Sequence, residues 1–409
     1  MVVMGADMRG RLPTHCEIGA FQALPPLLLA SQEQTLDWLA SAHATAAGLL
    51  GDADAFDEVA ARMGRRLRRF GCKADQIGTR GYDTFDVRTH DFAAAGLYAL
   101  GANRATGASV GPNSSTLGER SAIFAARVRQ VFADFYPEVP PGDLGPLVPD
   151  HLIHVTCTGY IAPSAPQQLV SERGWHEQTA ITHAYHMGCY AAFPAIRMAE
   201  GLTRSAMAHG RLPYRADLVH TELCTLHLNP ADSTPEQMVV HSLFADGHIK
   251  YSLQPPGSLR RGFRLLHLLE ELVPDSLGDM SWTPDHWGFR MGLSREVPRK
   301  IAGAIRGFVQ RLAEQSGCDL GDLLREARFA IHPGGPKIIG SLQELLELRD
   351  DQTAQSKEVL FARGNMSSAT LPHVWLALDQ AGLPIGTKVV SLAFGPGLTI
   401  FGAVFEVFG

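Results

Sequence analysis

No two cysteines in this 409-residue chain are spaced Cys-x-x-Cys, and none of the six (Cys16, Cys72, Cys157, Cys189, Cys224, Cys318) stands in a Cys/His metal pattern. That sets aside zinc ribbons and dithiol redox motifs. A chain this long needs no disulfides, so free thiols in a reducing cytosol are expected. No apolar run approaches the roughly 20 residues that span a bilayer. Leu24-Pro-Pro-Leu-Leu-Leu-Ala30 is short, interrupted by proline and preceded by a polar, acid-containing segment. It reads as a first strand or its lead-in, not as a secretory signal, so a soluble cytoplasmic chain is expected. Basic residues are not in excess: the net charge of −6 and pI near 6.3 give no reason to expect nucleic acid.

What is there is an ordinary globular composition, 45% apolar and 19% charged, with length for one large core or two side by side. Residues 1–18 mix charge, Gly and Pro without periodicity and are expected to fray. Helices are predicted from Ser31 to Leu50, with Ser31 and Gln34 as a capping box, from Ala55 to Phe70, and from Leu117 to Phe135. Asn103 to Thr116 and Pro137 to Pro149 read as loops. His151 to Thr158 is a buried strand and Ser164 to Arg173 a helix. Strand-like runs follow at Ala216–Leu228 and Gly247–Leu253, around a helix near Pro235–Phe244. The second part has a helix over Glu296–Ser316, a strand over Arg328–Ile331, a helix to Leu348 and two closing strands, Lys388–Phe394 and Thr399–Val407. Strand and helix alternate throughout, which predicts an α/β fold with mixed sheets. Residues 19–260 and 261–409 each hold a strand, a Gly turn with a reactive residue and a helix, so two similar halves are expected.

Three local sequences stand out. In THAYHMGCYAAFPAIRMAEGL (Thr182–Leu202), a Gly188-Cys189 step precedes an apolar helical run. A thiol there meets unpaired N–H groups and the helix dipole, which predicts a lowered pKa. Taken alone, Cys189 is better explained as a small buried hydrophobe. His332-Pro-Gly-Gly-Pro336 and Gly364-Asn365-Met-Ser-Ser-Ala369 add an imidazole and a carboxamide. Singly, His332 reads as a turn residue and Asn365 as a cap after Gly364. Together a Cys, a His and an Asn suffice for thioester chemistry: a thiolate balanced by imidazolium, and two N–H donors for an oxygen that gains charge. No metal or organic cofactor is required. A fourth feature is RRLRRFGCK (Arg65–Lys73), which reads either as a solvated helix end or as a clamp for a phosphorylated carrier.

These residues resemble the thiolase superfamily and, within it, the type III polyketide synthases typified by chalcone synthase. HPGGP, GNMSSA, the closing FGPGLT (Phe394–Thr399) and the Cys–His–Asn spacing carry the resemblance, which extends from about residue 20 to the end. It implies a five-layered αβαβα homodimer with catalytic Cys189, His332 and Asn365, acting as an acyltransferase without cofactor. It further implies a gatekeeping Phe244 in LFADG and a second gate at Met291. Cys157, Cys224, His227 and Ser367 are implied as cavity positions. Coenzyme A contacts fall at Arg66, Arg68, Arg69, Lys73 and Lys337. VTCTGYIAPSAPQQLVSERGW and the Cys189 stretch are similar to bacterial alkylresorcinol and alkylpyrone synthases. The implied reaction joins malonyl-CoA, by repeated decarboxylative condensation, to a fatty acyl starter on coenzyme A or acyl carrier protein, then cyclises the product. Three other readings remain: a single-round ketosynthase III, a cysteine hydrolase, and an inert lipid-binding partner of an active relative.

Overall fold

A computed structural model describes residues 15–48, 52–90, 115–138 and 148–409. The chain runs β1 (Glu17–Leu24), β2 (Leu28–Ser31), α1 (Gln32–Ala46), α2 (Ala53–Phe70), β3 (Thr79–Tyr82), α3 (Leu117–Phe135), β4 (His151–Thr156), α4 (Ala165–Glu172), β5 (Ala180–Tyr185), α5 (Ala192–Ala208), β6 (Ala216–Leu223), α6 (Pro235–Leu243) and β7 (Asp246–Gln254). It continues with β8 (Gly262–Leu272), β9 (Met280–Pro284), β10 (Phe289–Leu293), α7 (Val297–Ser316), α8 (Leu320–Glu326), β11 (Arg328–Ile331), α9 (Pro336–Leu345), α10 (Ala354–Arg363), α11 (Thr370–Gln380), β12 (Lys388–Gly395) and β13 (Thr399–Phe408). Ser31 and Gln34 form the expected capping box, and Thr116/Glu119 and Ser164/Gln167 repeat the device.

The main sheet is ordered β11-β12-β13-β8-β1-β7-β6-β4-β5. Alternation along its strands sets the layers, because successive side chains point to opposite faces. Leu152 and Val219 pack under α3 and α4, whereas Ile153, Val155 and Leu218 face α5 and α11. On the other side Val389, Phe401 and Ala403 face those same central helices, while Val390, Ile400 and Val404 face α7, α8 and α9. Five layers result, helix–sheet–helix–sheet–helix, as the resemblance implies. Within the sheet the two halves join through the pairs Glu17–Arg264 and Ile18–Phe263, extended by Leu265 N–H donating to Cys16 O (2.9 Å).

Several elements differ from the sequence expectation. Strand β1 starts at Glu17, inside the stretch expected to fray, while residues 1–14 lie outside the described residues. The expected loops at 103–116 and 137–149 also fall largely outside them. Strand β6 stops at Leu223, because Cys224–His227 form one 3-10 turn that bends the chain toward the cavity described below. Strand β5 carries no apolar alternation in the sequence, since as an edge strand it keeps Ala180 and His183 exposed. No helix among the described residues is long and apolar enough to cross a membrane.

The interior holds uncharged histidines. Burial pushes His220, His227, His332 and His373 down to about 3 and His43 to about 4. Between pH 6.5 and those values the unfolded chain binds protons that the folded chain refuses, so stability falls as pH drops. Glu222 and Asp246, raised by burial, act in the opposite sense but are fewer. The melting temperature is therefore expected to fall by more than about 10 °C from pH 7 to pH 4.5. A flat profile by calorimetry would contradict this balance.

Candidate active site

Cys189 sits between β5 and α5, on a turn made by two left-handed residues, His186 (φ 61°) and Gly188 (φ 80°). A Cβ on Gly188 would lie 2.4 Å from Pro396 Cδ, so glycine is required by backbone and neighbour alike. Gly188 is clamped from beneath: its N–H donates to Cys157 Sγ (3.0 Å) and its carbonyl accepts from that thiol (3.2 Å). Gly188→Ala is expected to cost roughly 1–2 kcal/mol from the left-handed backbone alone. Displacing Pro396 adds to this and shifts the sulfur, so turnover should fall along with melting temperature; unchanged turnover would refute this account of the turn.

His332 follows the last residue of β11, its N–H donating to the Leu392 carbonyl (2.7 Å). The ring is buried, and neither nitrogen has a hydrogen-bond partner among the described residues. Asn365 leaves α10 through left-handed Gly364 (φ 71°) and joins Phe244 in a short bridge: Asn365 N–H donates to Leu243 O (3.0 Å), and Ala245 N–H to Asn365 O (2.8 Å). Its side-chain Oδ1 accepts from Ser367 N–H (2.9 Å) and the Thr370 hydroxyl (3.2 Å). With the oxygen held by two donors, the amide must present its NH₂ to the cavity.

Cys189, His332 and Asn365 line one outer cavity of about 810 Å³. An inner cavity of about 40 Å³ adjoins it, and Cys189, Phe244 and Met291 line both. Ser367, Cys157, Cys224 and His227 line the inner one. Ser367 Oγ is 3.9 Å from Cys189 Sγ. His227 offers no free polar atom: it pairs with Thr158 O (2.7 Å) and receives the Phe289 N–H (3.1 Å), which fixes its tautomer. Trp282 and Phe289, from the β9–β10 hairpin, wall the inner cavity, with Trp282 Nε1–H on Cys157 O (2.6 Å).

The expected low thiol pKa is overturned. Burial pushes Cys189 up to about 12; the Ser367 hydroxyl and Asn365 amide oppose this, while Glu222 reinforces it. The helix dipole does not win because α5 begins only at Ala192, and the sulfur lies at the floor of a cavity with part of its surface open to it. His332 is neutral as well, so at rest the couple is thiol and imidazole. Glu222 went unnoticed in the sequence. Its buried carboxylate accepts from Cys157 N–H, Thr158 Oγ1 and both the N–H and hydroxyl of Ser368, binding the Cys157 and Ser368 loops together. A lone Glu at the end of a buried strand gives no periodic signal of this kind.

The residues expected to contact the carrier divide. Lys337 lines the outer cavity, whereas Arg66, Arg68, Arg69 and Lys73 do not. Arg68 is taken by Glu33 (2.8 Å) and Asp37 (2.7 Å), and Arg66 donates to Ser233 O (2.9 Å). Arg69 lies over the Phe70 ring at 5.1 Å.

Residues 265–408 match the family described as chalcone and stilbene synthases, C-terminal domain. The matched segment is about a third of the chain. It carries His332 and Asn365 but not Cys189. The chain is 30% identical over 266 residues (64% of this chain) to "Probable polyketide synthase 1" of Dictyostelium discoideum, and 30% identical over 268 residues (63%) to "Alpha-pyrone synthesis polyketide synthase-like Pks18" of Mycobacterium tuberculosis. The matched stretches span 8% and 64% of those relatives' lengths. Its fold is that of type III polyketide synthases. The C-terminal type III domain of Steely1 from Dictyostelium superposes with TM-score 0.73 at 23% identity, covering 96% of this chain and 99% of that one. 1,3,6,8-Tetrahydroxynaphthalene synthase from Streptomyces coelicolor gives 0.70 at 21% identity, with the same coverage.

Proposed function

We propose that the protein is a type III polyketide synthase that extends an acyl thioester with malonyl-CoA by repeated decarboxylative condensation. The observation that carries the proposal is the meeting of a thiol, an unpartnered imidazole and an outward amide NH₂ in one cavity. Cys189 gives its proton to His332 as its sulfur attacks the starter thioester; the acyl group moves to the sulfur and the carrier thiol leaves protonated. Malonyl thioester then loses carbon dioxide. The electron pair of the broken bond passes into an enolate whose oxygen is held by His332 N–H and the Asn365 amide. The enolate carbon attacks the acyl carbonyl, the Cys189 sulfur leaves, and the extended β-ketoacyl thioester is ready for another round.

Phe244 and Met291 act as gates between the cavities, and the aromatic face of Phe244 favours the neutral decarboxylated unit over the carboxylate. The apolar inner lining, with Cys157, Cys224 and Met291, supports an aliphatic starter and ring closure to an alkylpyrone or alkylresorcinol. A relative named for α-pyrone synthesis supports the same class. At about 40 Å³ the inner cavity takes only a short acyl group as it stands, roughly the room of three waters. The starter arrives on coenzyme A or acyl carrier protein. A homodimer paired along the open β5 edge, with exposed Tyr160 and Ile161 beside it, completes the proposal, and six unpaired cysteines support a cytoplasmic setting.

Mass spectrometry after incubation with malonyl-CoA and acyl-CoA starters of increasing length tests this. The expected result is cyclised products carrying two or three added two-carbon units. A single added unit supports a ketosynthase III instead, and free acid without extension supports a hydrolase.

A further inference from the structure

We propose that Arg295 is the residue that reads the phosphates of the thioester carrier, acting with Lys337 at the mouth of the outer cavity. This rests on the synthase reading and adds a residue that the sequence patterns did not point to. Both side chains are exposed, both line the cavity whose floor is Cys189, and neither has an ion pair or hydrogen bond among the described residues. They approach from different elements: Arg295 sits between β10 and α7, and Lys337 lies in the first turn of α9. The end of α2 contributes Phe70 to the same lining, followed by Gly71 and Cys72, but none of its cations; Arg68 pairs with Glu33 and Asp37, and Arg66 donates to Ser233 O. One anion shares the rim, Glu236, and its carboxylate accepts the Leu293 N–H (2.6 Å), a bond to the backbone just ahead of Arg295. In a chain of net charge −6, two uncommitted cations at the mouth of a thiol-bearing cavity fit an anionic carrier whose acyl end must reach the floor. An arginine fork matches phosphate oxygens where a lone ammonium supplies only charge.

Calorimetric titration with coenzyme A and with pantetheine, which lacks the phosphates, tests this without relying on turnover. Wild type should bind coenzyme A at least about tenfold more tightly than pantetheine, the scale of one charge-assisted contact. Arg295→Gln should lose most of that difference and leave pantetheine binding unchanged. Arg295→Lys should recover part of it, and Arg299→Gln, which removes a neighbouring cation paired with Glu296, should change neither affinity. Coenzyme A affinity untouched by Arg295→Gln, or both affinities falling together, would overturn the assignment. So would failure of wild type to prefer coenzyme A. Carbon dioxide release from malonyl-CoA, followed in parallel, tests the synthase reading separately: tight binding without decarboxylation leaves the phosphate site standing and removes the proposed reaction.

Discussion

Cys189→Ala is expected to reduce product formation by at least about 10³-fold, to background, because among the described residues Cys189 is the one thiol that lines both cavities. Cys157 and Cys224 are near, but burial beside Glu222 pushes both thiols well above the ordinary range, and Cys157 is committed to Gly188. Cys189→Gln should be equally unable to condense while still decarboxylating malonyl-CoA. That step needs a bound malonyl group and donors to the enolate oxygen, not a sulfur. Product quantification alongside carbon dioxide release separates the two activities. Full product from the alanine variant would remove Cys189 from the mechanism.

Asn365→Asp should lower decarboxylation by about 10²–10³-fold, the range for loss of one donor to a developing oxyanion. The substitution is informative because it preserves the local fold: a carboxylate oxygen can still accept from Ser367 N–H and the Thr370 hydroxyl. Only the cavity-facing end changes, from an N–H donor to an acceptor bearing negative charge. His332→Ala should cost a similar factor, since its nitrogens have no partner to lose among the described residues. Measuring both in the Cys189→Gln background confines the effect to the decarboxylation step. Decarboxylation at the parental rate in Asn365→Asp would exclude the amide from that role.

Much of this architecture is legible in the amino-acid order. Leu117–Phe135 and the closing strands around Gly395-Pro-Gly are fixed by periodicity and turn chemistry, and they appear where expected. So does α5, whose buried Ala192, Ile196 and Ala199 announce the face turned to the middle of the molecule. What depends on tertiary surroundings is not legible. A Gly-Cys step ahead of a helix reads as an activated thiolate, yet in the fold desolvation outweighs the dipole and the thiol stays protonated at rest. A run of arginines reads either as a solvated helix end or as a clamp, and the partners of Arg68, Glu33 and Asp37, lie some thirty residues earlier. Strand β5 hides behind its own polar residues, and the role of Glu222 emerges only when Cys157 and Ser368 meet across the sheet.

The central claim is that an acyl chain is carried on one sulfur. Incubating the protein with an acyl-CoA starter alone, then digesting it at low pH and mapping the peptides by mass, tests it most directly. One acyl adduct per chain on the peptide containing Cys189, absent from Cys189→Ala, is the expected result. An adduct on another residue, or none despite product formation with malonyl-CoA, would contradict it.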